Sequence, residues 1–367
     1  MTAEPPPPSR LALAKQAQKY RILSSLLSLL DRYLSWPWPS NPSLEFSIPS
    51  TISKHPGSIG LYFFTAPSRA LTPNTIATAT QSTQDSHSTP RPKRPVLINF
   101  HGGGFSIAHA RDDARWATAV VQAIPDAVVV SVNYRLAPEH PFPVGIEDCV
   151  DAVLWLWDHA EQYNLDQARF ALSGSSAGGN FALAVPFRLR EELDKRASQF
   201  TNGLSLAGIV GFYPSTDWTR ARAERDATNP IAKQKSMISP SIFRFFDQSY
   251  LMPEDLPKSL GDDGIYAVDM AHPFLSPGLA PASLLLASYP PAVAIYTCGW
   301  DQLLVEGNTF RNRLAGLVAE GQMKHVGGMV IEDKIHAFDK KPSFWAGNPK
   351  RDVMYADAIR ELGMMWT

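Results

Sequence analysis

From residue 95 onward, short and nearly continuous apolar runs alternate with stretches of helical spacing. Pro95 to Phe100 is an apolar run, and Arg111 to Ile124 carries its apolar residues at helical intervals. Ala127 to Asn133 is rich in valine, as a strand buried on both faces requires. Helical spacing returns over Glu147 to Tyr163, Phe170 to Ser173 is extended, and Gly178 to Asp194 is helical. Leu206 to Tyr213 and Pro291 to Cys298 read as further strands, Gly307 to Glu320 as a helix, His325 to Ile331 as a strand and Arg351 to Trp366 as a closing helix. This alternation predicts an α/β fold with a mostly parallel central sheet flanked by helices on both faces. With 44% hydrophobic and 19% charged residues in a chain of 367, there is enough apolar material for a large core.

Two segments break the rhythm. Leu11 to Trp36 is rich in leucine, but its longest uncharged run, Ile22 to Leu30, is nine residues. A spanning helix needs about 20, so no transmembrane segment is expected. The polar positions mix both signs with serines, which favours an amphipathic helix packed on the domain over one lying on a membrane surface. Thr216 to about Pro281 holds arginines, Pro230, Pro240, Pro253 and the cluster Phe243-Arg244-Phe245-Phe246. It reads as an inserted helical cap packed with the N-terminal helix. Residues 67–95 are about half Ser, Thr or Pro and read as a mobile surface loop. The expected organisation is an N-terminal part of the cap (1–45), a first core part (46–215), the inserted cap (216–281) and a second core part (282–367).

The charge balance is 34 Lys and Arg against 35 Asp and Glu, a net charge of -1, which leaves no electrostatic footprint for nucleic acid. Two cysteines, Cys149 and Cys298, are too few for a disulfide framework and have no metal-ligand spacing. A reducing compartment, the cytoplasm, is the simpler expectation.

Two glycine clusters carry the chemistry. Gly174-Ser175-Ser176-Ala177-Gly178 follows a strand and opens a helix, the context of a nucleophile elbow. Its small flanking residues permit the sharp turn that presents Ser176 above the sheet. His101-Gly102-Gly103-Gly104-Phe105 also follows a strand. Consecutive glycines let backbone amides approach a ligand, and amides aimed at a developing alkoxide form an oxyanion hole, with Ala177 as a third donor. No Lys-Ser or Lys-Thr pair follows the glycines, so a phosphate-binding P-loop is not expected.

Serine attacks only when a base takes its proton, and in such a sheet the acid and then the histidine follow in chain order. Of the three downstream histidines, His272 falls in the cap and His325 stands before its strand. His336 follows a strand, in Lys334-Ile335-His336-Ala337-Phe338. Asp301, just past the strand Pro291 to Cys298, is the expected acid, with Asp333 and Glu306 as rivals. Phe105, Trp218, Phe243 and Trp300 are candidate pocket residues.

With these residues laid out, the chain resembles the hormone-sensitive-lipase-like family of α/β-hydrolases. The match rests on His101 to Gly104, Tyr134-Arg135-Leu136-Ala137-Pro138-Glu139-His140-Pro141, the elbow through Gly179, Asp301 with Gly299 and Leu303, and His336-Ala337-Phe338. The resemblance implies an esterase-type α/β-hydrolase with a helical cap, oxyanion amides at Gly103, Gly104 and Ala177, and a structural role for the segment from Tyr134. One departure is Ser175, where the family usually carries an acid. The expectation is a serine carboxylesterase acting on a small, mainly apolar ester through an acyl-serine, with no metal or organic cofactor. A homodimer is the oligomeric option carried with it. Acyl-transfer, lyase or condensing chemistry on the same triad is the alternative, beside a non-catalytic binding protein of the kind the plant gibberellin receptors represent, which lack the histidine.

Overall fold

The computed structural model describes residues 8–71, 92–196, 203–236, 238–251, 269–343 and 347–367. Most of the loop expected over 67–95 therefore lies outside the described residues, as do parts of the segment 216–281. The elements begin with helix α1 (Arg10–Leu34), strands β1 (Leu44–Pro49), β2 (Ser58–Phe64) and β3 (Arg94–Phe100), helix α2 (Ala114–Ala123), strand β4 (Val128–Asn133) and helix α3 (Val144–Asp158). They continue with β5 (Leu165–Ser175), α4 (Ala177–Lys195), β6 (Gly208–Phe212), and three short helices, α5 (Arg222–Thr228), α6 (Pro230–Lys235) and α7 (Pro240–Tyr250). The chain closes with α8 (Ala282–Ser288), β7 (Ala292–Trp300), α9 (Leu304–Ala319), β8 (His325–Gly327), β9 (Val330–Ile335) and α10 (Pro349–Met365).

The strands form one sheet in the order β1-β2-β4-β3-β5-β6-β7-β8, with β9 also pairing β7. β1, β2 and β4 are joined antiparallel, and every pairing from β4 to β8 is parallel. Every residue of β3 is buried, because the sheet is covered twice. One apolar core lies between the sheet and α3, α4, α8 and α9. A second lies between the sheet and α2 and α10. Cys149 and Cys298 are buried in these cores as free thiols.

The single strand expected over His325 to Ile331 is two strands. Gly328 interrupts it at φ +92, and a Cβ there would collide with the backbone of Ile295. The chain is thereby re-aimed, and β9 runs on to Ile335, directly before His336.

The N-terminal helix forms as expected but is mounted differently. Only Leu13 and Ala17 are buried, in a small cluster with Phe245 of α7. The leucine-rich stretch faces outward, with Ile22, Leu26 and Leu29 about half exposed. The expected packing of the apolar face on the domain is thus corrected. Polar groups do the anchoring, which hydrophobic spacing does not report. No helix among the described residues is long and apolar enough to cross a membrane.

Candidate active site

The elbow stands where β5 gives way to α4. Ser176 sits at φ 55 and ψ -115, a strained conformation that only tightly packed surroundings hold in place. Its amide donates to Phe212 O at 2.9 Å, tying the turn to β6. The elbow lies against the His101 loop, and a Cβ on Gly178 would collide with the Phe100 and His101 carbonyls. Gly103 and Gly104 both have positive φ, 106 and 56, the region that favours glycine. Among the described residues their amides donate to no backbone carbonyl, so they remain available to a ligand. Ala177 is the first residue of α4, where amides have no partner within the helix.

His336 lies between the other two groups. Its Nδ1 is 2.7 Å from Asp301 Oδ2 and its Nε2 is 2.7 Å from Ser176 Oγ. With the Nδ1 proton donated to Asp301, Nε2 is free to accept from the serine hydroxyl. Asp301 is held in turn, since Leu303 N donates to its Oδ1 at 3.0 Å. Asn229 of the inserted segment donates to both the Gly299 and Asp301 carbonyls at 3.0 Å. Burial pushes the His336 imidazole down, but the neighbouring Asp301, with Asp339 and Glu306 farther off, raises it above its usual 6.5. The Tyr213 ring meets His336 edge-on at 4.9 Å between centroids, and its hydroxyl donates to Asp339.

The other candidates are accounted for by their positions. His325 pairs with Glu361 at 2.6 Å, and His272 Nδ1 accepts from the Phe274 amide. Asp333 is exposed. Glu306 is 3% exposed, but it pairs with Arg225 at 2.8 Å and accepts from the Thr216 amide, so it joins the inserted segment to α9. Ser175 is buried beneath Gly102. His101, fully buried and stacked on Tyr134, is pushed down to about 4 by desolvation and stays neutral. Tyr134 donates to the His101 carbonyl at 2.7 Å, and Arg135 bonds Asp148, so the segment from Tyr134 steadies the glycine loop.

A cavity of about 320 Å³ opens over Ser176, lined by Gly103, Gly104, Ala177, Asp301 and His336. Phe105, Trp218 and Phe243 are on its wall, and Phe246 closes over Gly104. Trp300 is not. It lines a small adjoining recess that shares Phe243, Asp301 and His336 with the cavity, and the Lys235 ammonium lies 5.2 Å from its ring centroid. Sequence reasoning missed the α1 contribution of Ser24, Leu27, Ser28 and Asp31 to the cavity. It also missed Asn229, Tyr213 and Phe246. None of these stands in a motif, and only the chain's path brings them here. Near α1 the wall is acidic, with Asp112 pushed up to about 6 by burial and hydrogen-bonded by Ser28 at 2.5 Å.

Arranged in this way, the site can deprotonate a hydroxyl, hold the resulting imidazolium beside a carboxylate and receive an oxyanion on backbone amides. The chain is 33% identical over 224 residues to esterase LipI of Mycobacterium tuberculosis, covering 60% of each chain. It is 31% identical over 235 residues to carboxylesterase NlhH of the same species, covering 63% of this chain and 64% of that one. It therefore spans less than two thirds of either relative. Arylacetamide deacetylase of Oryctolagus cuniculus is 29% identical over 312 residues, with 73% of this chain and 74% of that one covered. Among solved structures, the ester hydrolase EH1AB1 from the metagenome of Lake Arreo superposes with a TM-score of 0.69 at 23% identity, over 97% of this chain and 93% of that chain, and so shares the fold. The sequence profile of the alpha/beta hydrolase fold matches residues 97–340, well over half the chain, and the protein belongs to that family.

Proposed function

We propose that the protein is a serine carboxylesterase. Ser176 attacks the carbonyl of a small, mainly apolar ester while His336 takes its proton. The amides of Gly103, Gly104 and Ala177 receive the oxyanion. His336 then protonates the departing alcohol, leaving an acyl-serine, and water activated by the same imidazole releases the acid. Asp301 fixes the imidazole tautomer and stabilises the imidazolium. The observation that carries this reading is His336, held at 2.7 Å from Ser176 on one side and from Asp301 on the other. Relatives named esterase, carboxylesterase and arylacetamide deacetylase support it.

In the same proposal α1 and residues 216–281 form the cap over the core parts 46–215 and 282–367, and Phe105, Trp218 and Phe243 contact the substrate. Trp300 lines the adjoining recess beside Asp301 and His336. A cytoplasmic location and a homodimer are carried with this reading. Fractionation and light scattering test them.

The test of the reaction is turnover of a short-chain nitrophenyl ester by the native protein and by Ser176→Ala. The expected loss is on the order of 10⁴-fold or more. Binding of an ester without turnover would favour a receptor, and hydrolysis accelerated by added alcohol would favour acyl transfer.

A further inference from the structure

The inward side of α1 is polar. Arg21 donates to the Ser106 and Ala137 carbonyls at 2.9 Å and pairs with Glu139 at 2.7 Å. Ser28 bonds Asp112 at 2.5 Å, and Asp31 pairs with Arg115 at 2.9 Å. The opposite side presents Ile22, Leu23, Leu26, Leu29, Leu30 and Tyr33, each between 43% and 66% exposed. At the pitch of an α-helix these six fall within an arc of about 120°. A helix whose purpose is to complete a domain turns that arc inward. Here polar bonds hold the helix with the arc facing out.

Charge narrows what can cover this face. Lys15 and Lys19 are exposed and fall in the same arc. The sole acidic residue of α1, Asp31, points to the other side and is already paired with Arg115. A second copy of the chain, meeting this face with the same face, has no acid to offer the lysines. Trp36 and Trp38 follow the helix, 58% and 60% exposed and in edge contact at 5.4 Å, as amphipathic rings at a lipid–water boundary are. The face is also continuous with the cavity. Leu27, at the edge of the arc, is 48% exposed and yet lines the cavity wall.

We infer that the outward face of α1, with Trp36 and Trp38, docks on an anionic lipid surface, its leucines entering the acyl boundary and Lys15 and Lys19 meeting phosphate headgroups. Docking places the cavity mouth beside the lipid, so esters dissolved in it reach Ser176 without crossing water. The inference goes beyond the proposed hydrolysis and does not depend on it, because docking needs no turnover.

Sedimentation of the full chain with vesicles tests it, using phosphatidylcholine alone and phosphatidylcholine with about one third phosphatidylglycerol. The bound fraction is expected to be about tenfold larger on the anionic vesicles and to shrink as salt rises. Ser176→Ala binds equally, which separates docking from catalysis. Lys15→Glu with Lys19→Glu removes the preference for anionic lipid, and Leu26→Gln with Leu30→Gln removes binding to both vesicles. Both double variants keep the native urea-unfolding midpoint, showing that they fold. Failure to sediment with either vesicle would overturn the inference, as would binding indifferent to both double variants. So would light scattering that shows a dimer split by Leu26→Gln with Leu30→Gln, since a second copy would then cover the face.

Discussion

The two sides of the cavity are built on opposite principles. The side made by the elbow and the His101 loop is held by backbone. Glycines at 103, 104, 174 and 178 sit where a Cβ would collide, and β5 and β3 fix the two turns in register. The side made by α1 and the inserted helices is held by long polar side chains. Arg21, Arg222 and Arg225 each span from one element to another, to Glu139, Asp247 and Glu306. A site anchored by backbone keeps its geometry to fractions of an ångström, which proton transfer needs. A wall pinned by side chains can change its lining without disturbing that geometry. On the proposed reaction, the contrast would separate where the reaction is set from where the substrate is chosen, and substitutions on each side should separate the same way.

The largest effect is expected at Asp301. Asp301→Asn keeps the shape of the site but leaves His336 in the wrong tautomer, and turnover of a nitrophenyl ester should fall by about 10⁴ with KM little changed. Glu306→Ala attacks the strut between the two sides. It strands the Arg225 guanidinium, itself 8% exposed, and should cost about 3–5 kcal/mol in urea unfolding. A stability loss without a matching fall in kcat of the folded fraction would keep the two sides distinct.

A third effect belongs to the backbone-held side. His101 is neutral when folded, with its value near 4, and regains about 6.5 when unfolded. The unfolded chain therefore binds the extra proton, so this contribution weakens as pH falls below 6.5. The residue alone should remove about 2 kcal/mol of stability between pH 7 and pH 5. His101→Gln should flatten that slope in urea unfolding at the two pH values; an unchanged slope would count against a buried neutral imidazole. The smallest effect is expected on the wall. Phe243→Ala should raise KM for an apolar ester by roughly tenfold or less and leave kcat nearly intact, because it removes contact made equally in ground and transition states. A fall in kcat as large as that of Asp301→Asn would erase the distinction between the sides.

The backbone-held side is also the one legible in sequence. Strand-to-helix turns need small residues at fixed offsets, so Ser176 and the glycines at 102–104 announce themselves, and chain order then points to Asp301 and His336. The wall is not legible in this way. Arg225 and Glu306 are 81 residues apart, and neither lies in a pattern that local physics demands. The spacing of α1 reveals a helix with an apolar stripe, but not which way the stripe faces, because bonds to Ser106, Asp112 and Arg115 decide that. Trp300 lines the adjoining recess and not the main cavity for a related reason. It closes β7 beside Asp301, yet Lys235, at the end of α6, lies over its ring, and the ring lines a small recess with Ala232 and Ser236.

The central claim is that His336 makes Ser176 reactive. The most direct measurement is the rate at which a serine-directed phosphonate labels the native protein as a function of pH, with the labelled residue located by peptide mass mapping. The imidazole must be neutral to accept the proton, and Asp301 raises its value above 6.5, so labelling should rise with pH through a single step centred above 6.5 and fall on Ser176 alone. A rate flat from pH 5 to 8, or a label on any other serine, would contradict it.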